Sequence, residues 1–282
     1  MAMTADDIVS HPALERCVRG QAQTLLSMQE SSPRIASVFA TQQRWLMAHV
    51  ALAQYFRNEA SQPGAGLVAE RFLASVAQHQ IASRNTASDF LKEMQKYEIV
   101  GFTPNSAGKR RRTLVPAPAV LMALFQWHVL HLSTLDGLDD GTRAARFLAC
   151  PTLLHEIQPL IADGLIASSD VRKPQKTFSL FTWINEGGVV MDRLIAGCEG
   201  AADGSARILT DVTSISGLAE RLRLSRAQLS RKFTEAEAMG SLGWSGTRGW
   251  SALWLSSDFL REYHAAQAAK LAIIDAAFEA CA

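Results

Sequence analysis

Residues Leu218 to Phe233 read LAERLRLSRAQLSRKF. Leu218, Ala219 and Leu222 recur at helical spacing, the pattern is interrupted before Ser225, and Leu229 and Phe233 resume it with Leu224 packing between. Ser225 is a helix cap by residue type and place. The stretch therefore reads as helix, tight turn, helix, with two apolar faces turned toward each other. Arg226, Gln228, Arg231 and Lys232 are left for the outer surface. From Arg221 through Phe233 there are five cations and no acid, which creates a local positive field in a chain of net charge only +1. In a helix-turn-helix the start of the second helix enters the DNA major groove. Ser225 and the backbone amides would there meet phosphate, and Arg226, Gln228 or Arg231 could reach base edges. The plainer reading is an amphipathic helical pair with a solvated basic face.

The same order occurs earlier in the chain. SRNTAS at Ser83 to Ser88 corresponds to SRAQLS at Ser225 to Ser230, a shift of 142 residues, and Trp45 and Trp183 differ by 138. Similar offsets favour two copies of one unit. Ser83, Arg84, Asn85, Thr86 and Ser88 take the corresponding places in the first copy, followed by Asp89 and Glu93, which make it less basic. Next, VGFTPNSAGKRRRTLV (Val100 to Val115) places two β-prone arms around an Asn, Ser and Gly turn, a hairpin pattern. Lys109, Arg110, Arg111 and Arg112 then sit at its tip, within reach of phosphate or the minor groove. Four basic residues would also suit a nuclear localisation signal, but nothing else in the chain supports that use. The second copy offers WSGTRGW, with Arg248 alone, and Trp244, Trp250 and Trp254 are expected to pack that hairpin.

Longer helical patterns flank both copies. Pro33 to Arg57 reads as one amphipathic helix opened by SSP and carrying Val38, Phe39 and Trp45. Lys173 to Gly197 is its counterpart around Trp183, weakened by Gly187 and Gly188. Val120 to Leu132 and Ser256 to Phe278 follow the hairpins. A helical pair lies between Thr142 and Ala167, with Pro151 and Pro159 near its breaks. The expected fold is mainly α with small β-hairpins: tandem winged helix-turn-helix modules with long flanking helices. The divisions are a flexible segment 1–32, a first module 33–135, a helical connector 136–172 and a second module 173–282.

These units resemble the winged-helix domains of bacterial transcription regulators, and the flanking helices resemble those of the MarR family, where such helices build a dimer. SRNTASDFLKEMQKYEIVGF is similar to that family's recognition helix and the start of its wing. The resemblance implies DNA contacts by Ser83, Arg84, Asn85 and Ser88, with Arg110 to Arg112 in the wing. Regulators of that family carry one winged helix and dimerise. Two unequal copies in one chain imply a covalent pseudodimer, which leaves room for a homodimer as well. LAERLRLSRAQLSRKF also resembles the first helix-turn-helix of the AraC family, but no second unit follows at the expected distance.

The apolar share of 48% and charged share of 20% are those of a globular chain. The four cysteines are far apart and form no zinc pattern with the seven histidines, which suggests a reducing interior; the expected location is the cytoplasm, at the nucleoid when bound to DNA. No secretion signal or membrane span is read. GAG at 64–66 and SAGK at 106–109 fall short of a phosphate loop, and there is no nucleophile elbow or carboxylate pair. His128 and His131, followed by Asp136, Asp139 and Asp140, lack further ligands for a metal. No enzyme activity and no cofactor are therefore expected. Trp127 and Trp183 could border a small-molecule effector pocket. The partner read from the sequence is double-stranded DNA, and the alternative is a helical interaction or adaptor protein without specific DNA binding.

Overall fold

Thr4 opens the chain with a reciprocal capping box: its hydroxyl accepts from the Asp7 N–H while the Asp7 carboxylate accepts from the Thr4 N–H. The computed structural model describes residues 1–36, 41–103, 113–184, 186–198 and 205–281. Its helices hold 70% of the described residues, so the two small antiparallel sheets are accessories to a helical framework.

In the first half, α1 (Ala5–Val9), α2 (Leu14–Ser31), α3 (Pro33–Ala36), α4 (Gln42–Ser61), α5 (Ala69–Gln78) and α6 (Arg84–Lys96) precede the hairpin β1 (Val100–Phe102) and β2 (Leu114–Pro116); α7 (Pro118–Asp139) follows. In the second half come α8 (Arg143–Ala149), a 3-10 turn at Pro151–Leu153, α9 (Leu154–Ala167), α10 (Ser169–Arg172), α11 (Lys176–Thr182) and α12 (Gly187–Ala196). They lead to β3 (Arg207–Leu209), α13 (Ile215–Leu222), α14 (Arg226–Ala238), β4 (Leu242–Trp244), β5 (Leu253–Ser256) and α15 (Ser257–Cys281).

The packing is reciprocal. Helix α2 packs on α12 of the other half, and α9 packs on α4, so each half lends its first long helix to its counterpart. Likewise α1 lies on α15 and α8 lies on α7, while α7 and α15 pack against each other. Residues 1–32, expected to be flexible, are therefore part of the framework: Ile8, Leu14, Val18 and Ala22 are buried. The 136–172 segment is no mere connector either, because Ile157, Ile161, Ala162 and Leu165 of α9 are fully buried. Their apolar spacing is local, but the surfaces that cover them come from distant sequence, which no local pattern announces.

Three other expectations change in detail. The helix read from Pro33 is interrupted; α4 starts at a Thr41 cap whose hydroxyl accepts from the Arg44 N–H, and Val38 and Phe39 lie outside the described residues. The long helix read around Trp183 is broken into α11 and α12, with Trp183 ending α11 at 62% exposure and Glu186 in the left-handed region at φ 59°. Gly187 follows because a Cβ there would stand 1.7 Å from the Phe181 carbonyl oxygen. Pro159 lies inside α9 rather than at its end, and its carbonyl accepts from Arg57 Nη2.

Among the described helices, α7 is long and apolar enough to cross a membrane by length and composition. Here it packs against α2, α8 and α15 and buries Leu124, His128, His131, Leu132 and Leu135. Asp136 and Asp139 at its end bind Arg143 of α8, which also reaches Asp275 of α15, so one guanidinium ties three helices together.

Candidate nucleic-acid interface

The second half places α13 and α14 across a tight turn. Ser214 caps α13 through the Gly217 N–H, Arg223 takes the left-handed conformation that ends it, and Ser225 caps α14 by accepting from the Gln228 N–H at 3.4 Å. Leu218 and Ala219 meet Leu229 and Phe233 in the core, as the apolar spacing requires. Behind α14, β4 and β5 form a hairpin, and β3 adds a third antiparallel strand against β5. Strand β3 has no signature in the sequence because three residues, Arg-Ile-Leu, are too short to show alternation.

Ser225, Arg226 and Arg231 are exposed, and Gln228 is half-buried. Arg221, Arg223, Arg226 and Arg231 make no ion pair with any described residue. Lys232, by contrast, is held by Glu235 at 2.8 Å. Four guanidinium groups thus stand free around the start of a helix whose first amides already favour an anion.

The hairpin of this half is organised by Glu237. Its Oε1 accepts from Trp244 Nε1 at 2.9 Å and pairs with Arg248 Nε at 3.6 Å, while Arg248 Nη2 donates to Thr234 Oγ1. Arg248 is therefore folded back onto α14. Trp244 and Trp254 are half-buried, and a Cβ on Gly243 would meet the Trp254 ring at 2.4 Å, so the glycine lets the indole lie across β4. Trp250 differs from the expectation of a packing residue: it is 88% exposed. Its N–H donates to the Thr247 carbonyl in a tight turn that turns the ring outward.

The first half repeats the geometry with another electrostatic character. Ser83 caps α6 by accepting from the Thr86 N–H at 3.1 Å, and Ser83, Arg84, Asn85 and Thr86 are exposed, with Ser88 half-buried. Arg84 is paired with Glu70 at 2.6 Å, and Lys92 with Asp89 at 2.9 Å. Arg44 grips Glu93 through two hydrogen bonds, which hold that carboxyl below the usual range. The α6 face is thus largely neutralised by its own neighbours. Strands β1 and β2 pair as the hairpin arms, with Gly101 opposite Val115; Lys109, Arg110, Arg111 and Arg112 lie outside the described residues.

His128 and His131 belong to the core rather than to a surface. Their Nδ1 atoms donate to the Leu124 and Trp127 carbonyls at 2.8 Å, and both rings are fully buried beside Trp127. Among the described residues no group of three His, Cys, Asp or Glu side chains could hold a metal ion. No family model matches the chain, and no curated protein and no solved structure matches it either.

Proposed function

We propose that this chain is a sequence-specific double-stranded DNA-binding transcription regulator, with two winged helix-turn-helix units in one polypeptide. The observation that carries the reading is the set of four arginines, Arg221, Arg223, Arg226 and Arg231, unpaired around the exposed start of a Ser-capped helix. Order of elements supports it: helix, turn, helix and hairpin occur twice, and each time a further segment pairs with the outer strand. The exchange of α2 and α9 between halves supports a pseudodimer similar to the helix-built dimers of the MarR family.

The two units take unequal roles. The second supplies the free cations of α13 and α14, and Trp250 beside its hairpin offers an exposed aromatic edge. The first has its α6 charges paired and relies on its wing, Lys109 to Arg112, for phosphate contact. Unequal units read unequal half-sites, and linkage in one chain raises the effective concentration of the second contact. The setting that suits this activity is the cytoplasm, at the nucleoid.

Selection of bound sequences from random duplex DNA by the purified chain tests the reading. An enriched motif made of two different half-sites is expected. Recovery of no motif, with retention that vanishes equally for all duplexes as salt rises, would favour a helical adaptor whose basic patch is ordinary surface.

A further inference from the structure

The loop that joins β4 to β5 carries Trp250, which is 88% exposed; apart from Met1 at the chain start, no other large apolar side chain among the described residues exceeds 62%. An ordered turn holds it there. Trp250 N–H donates to the Thr247 carbonyl at 3.0 Å, with Gly249 at φ 80° supplying the left-handed position of that turn. Ser251 Oγ donates to the same carbonyl at 3.0 Å and accepts from the Gly246 N–H at 2.9 Å, and the Ser245 N–H closes the loop on the Ala252 carbonyl at 2.9 Å. The indole thus stands out from a fixed tip of small and polar residues.

The tip is also tied to α14. Arg248 Nη2 donates to Thr234 Oγ1 at 3.1 Å and its Nε pairs with Glu237, so the only cation between Leu242 and Ser256 is turned inward while Trp250 is turned out. Thr234 lies about one helical turn past Arg231, which sets the tip on the flank of the helix that bears the free arginines. Ser241 to Ser257 hold no Asp or Glu, so nothing in the hairpin repels phosphate. The chain neighbours of Trp250, from Ser245 to Ser251, are small or polar. They give it neither the apolar surround of a protein hot spot nor a second apolar side chain to enter a bilayer. A lone flat ring on a slender tip beside a cationic helix suits a narrow groove between phosphates.

We propose that the second hairpin distorts DNA: Trp250 enters the minor groove beside the α14 site and wedges between two base pairs, unstacking them and bending the duplex toward the major groove. This rests on the DNA-binding reading of α14. The minor groove is about 6 Å wide, and Gly246, Gly249 and the serines keep the tip around the indole slim enough to follow it in. An apolar side chain pushed between base pairs costs stacking energy and recovers it through the wider contact that the bend allows. That cost is least at pyrimidine–purine steps, so the second unit selects a flexible step by its deformability as well as by base edges. The indole carries no charge, and its share of the affinity is therefore independent of salt.

The probe is a duplex from the pool that the purified chain retains, with 2-aminopurine placed in turn for each adenine and a donor–acceptor pair at its ends. On binding, 2-aminopurine at one TA or CA/TG step should brighten, and the end-to-end transfer should report a bend of at least about 20°. Trp250→Ala, at a site exposed enough to leave the urea midpoint unchanged, should abolish both signals and weaken binding about tenfold with the same salt slope. Trp250→Phe should keep part of the bend. Trp250→Ala bound as tightly as the native chain, a duplex still bent and unstacked without the indole, or a native complex with no brightened step each overturns the wedge and leaves the DNA-binding reading standing. A native chain that retains no duplex at all overturns both.

Discussion

Ser83 and Ser225 lie 142 positions apart and make the same contact: each hydroxyl accepts the backbone N–H three residues on and opens a helix of 13 residues. The same offset holds along both helices and into both hairpins. Ala87, Leu91 and Met94 are buried where Leu229, Phe233 and Ala236 are buried, and Glu98 and Gly240 both take positive φ. Ile99 N–H reaches back to the Met94 carbonyl as Ser241 N–H reaches back to that of Ala236, and β1 and β4 begin at the next residue. One scaffold is thus dressed twice, once with its charges paired and once with them free. Loss of either cap should cost stability alike, since the scaffold is shared: Ser83→Ala and Ser225→Ala are each expected to lower unfolding free energy by about 1 kcal/mol. Urea midpoints at constant slope measure this, and a cost confined to one cap would break the equivalence.

Binding, unlike folding, should respond unequally. Arg226→Ala and Arg231→Ala remove free guanidinium groups, and each should reduce the salt slope by about 0.9 for every phosphate that it leaves without a cation. Arg84 already serves Glu70 at 2.6 Å, so Arg84→Ala is expected to change affinity by less than about threefold, under 1 kcal/mol. Anisotropy titrations on the selected duplex at several salt concentrations report both quantities. A larger loss for Arg84 than for Arg226 would reverse the assignment of roles.

What can be read from sequence depends on how local its cause is. The cap, the three and four residue spacing of Ala87, Phe90, Leu91 and Met94, and the turn before Ser225 are decided within one or two helical turns. They are legible for that reason. The exchange of α2 and α9 is not, because Val18 and Ile161 look alike whether covered by their own half or by the other. The paired state of Arg84 depends on Glu70, one helix away, so a count of cations overstates the first unit.

Two adjacent glycines separate tertiary constraint from helix propensity. Gly187 stands where a Cβ would overlap the Phe181 carbonyl, whereas a Cβ on Gly188 would meet nothing within 4 Å. Gly187→Ala should therefore destabilise by about 3 kcal/mol or more through overpacking against backbone. Gly188→Ala should stabilise by about 0.5–1 kcal/mol, since it sits at the start of α12 with space for a methyl group. Thermal unfolding of both variants measures the contrast. Equal and small effects would mean that the break between α11 and α12 is set by propensity alone.

Arg143 is the joint between the halves. It is 9% exposed in its side chain and donates to Asp275, itself fully buried, at 2.6 Å; Asp275 also accepts from the Met3 N–H at 2.7 Å. Arg143→Met leaves a buried carboxylate with one backbone donor and is expected to cost about 3–5 kcal/mol. Adding Asp275→Leu should recover part of that loss, because the uncompensated charge is then gone. Chemical denaturation of the two variants reads the difference. A double variant less stable than Arg143→Met would show that the Met3 contact, rather than the ion pair, dominates.

Acid should loosen the centre of the protein before it titrates ordinary carboxylates. His49, His128 and His131 are buried, and burial lowers their pKa values, to about 3 for His49, to about 4 for His128 and well below the ordinary value for His131. Burial is the largest cause, and the hydrogen bonds from His128 to Leu124 and from His131 to Trp127 oppose it. The Leu124 and Trp127 carbonyls fix the Nδ1–H form of His128 and His131, and their Nε2 atoms have no partner among the described residues to receive a second proton. The unfolded chain takes up these protons near pH 6.5 and the folded chain resists, so stability is full above that pH and falls as pH drops toward 4. Each histidine contributes a slope of at most about 1.4 kcal/mol per pH unit. Asp192 acts in the opposite sense: burial raises its pKa to about 6 from 3.8, so the folded state gains its proton first and recovers some stability between those values. His128→Phe should flatten the decline below pH 6.5, and Asp192→Asn should steepen it below pH 6. Unfolding free energies from urea titrations between pH 4 and 8 measure both slopes, and a decline unchanged in His128→Phe would place the acid-sensitive group elsewhere.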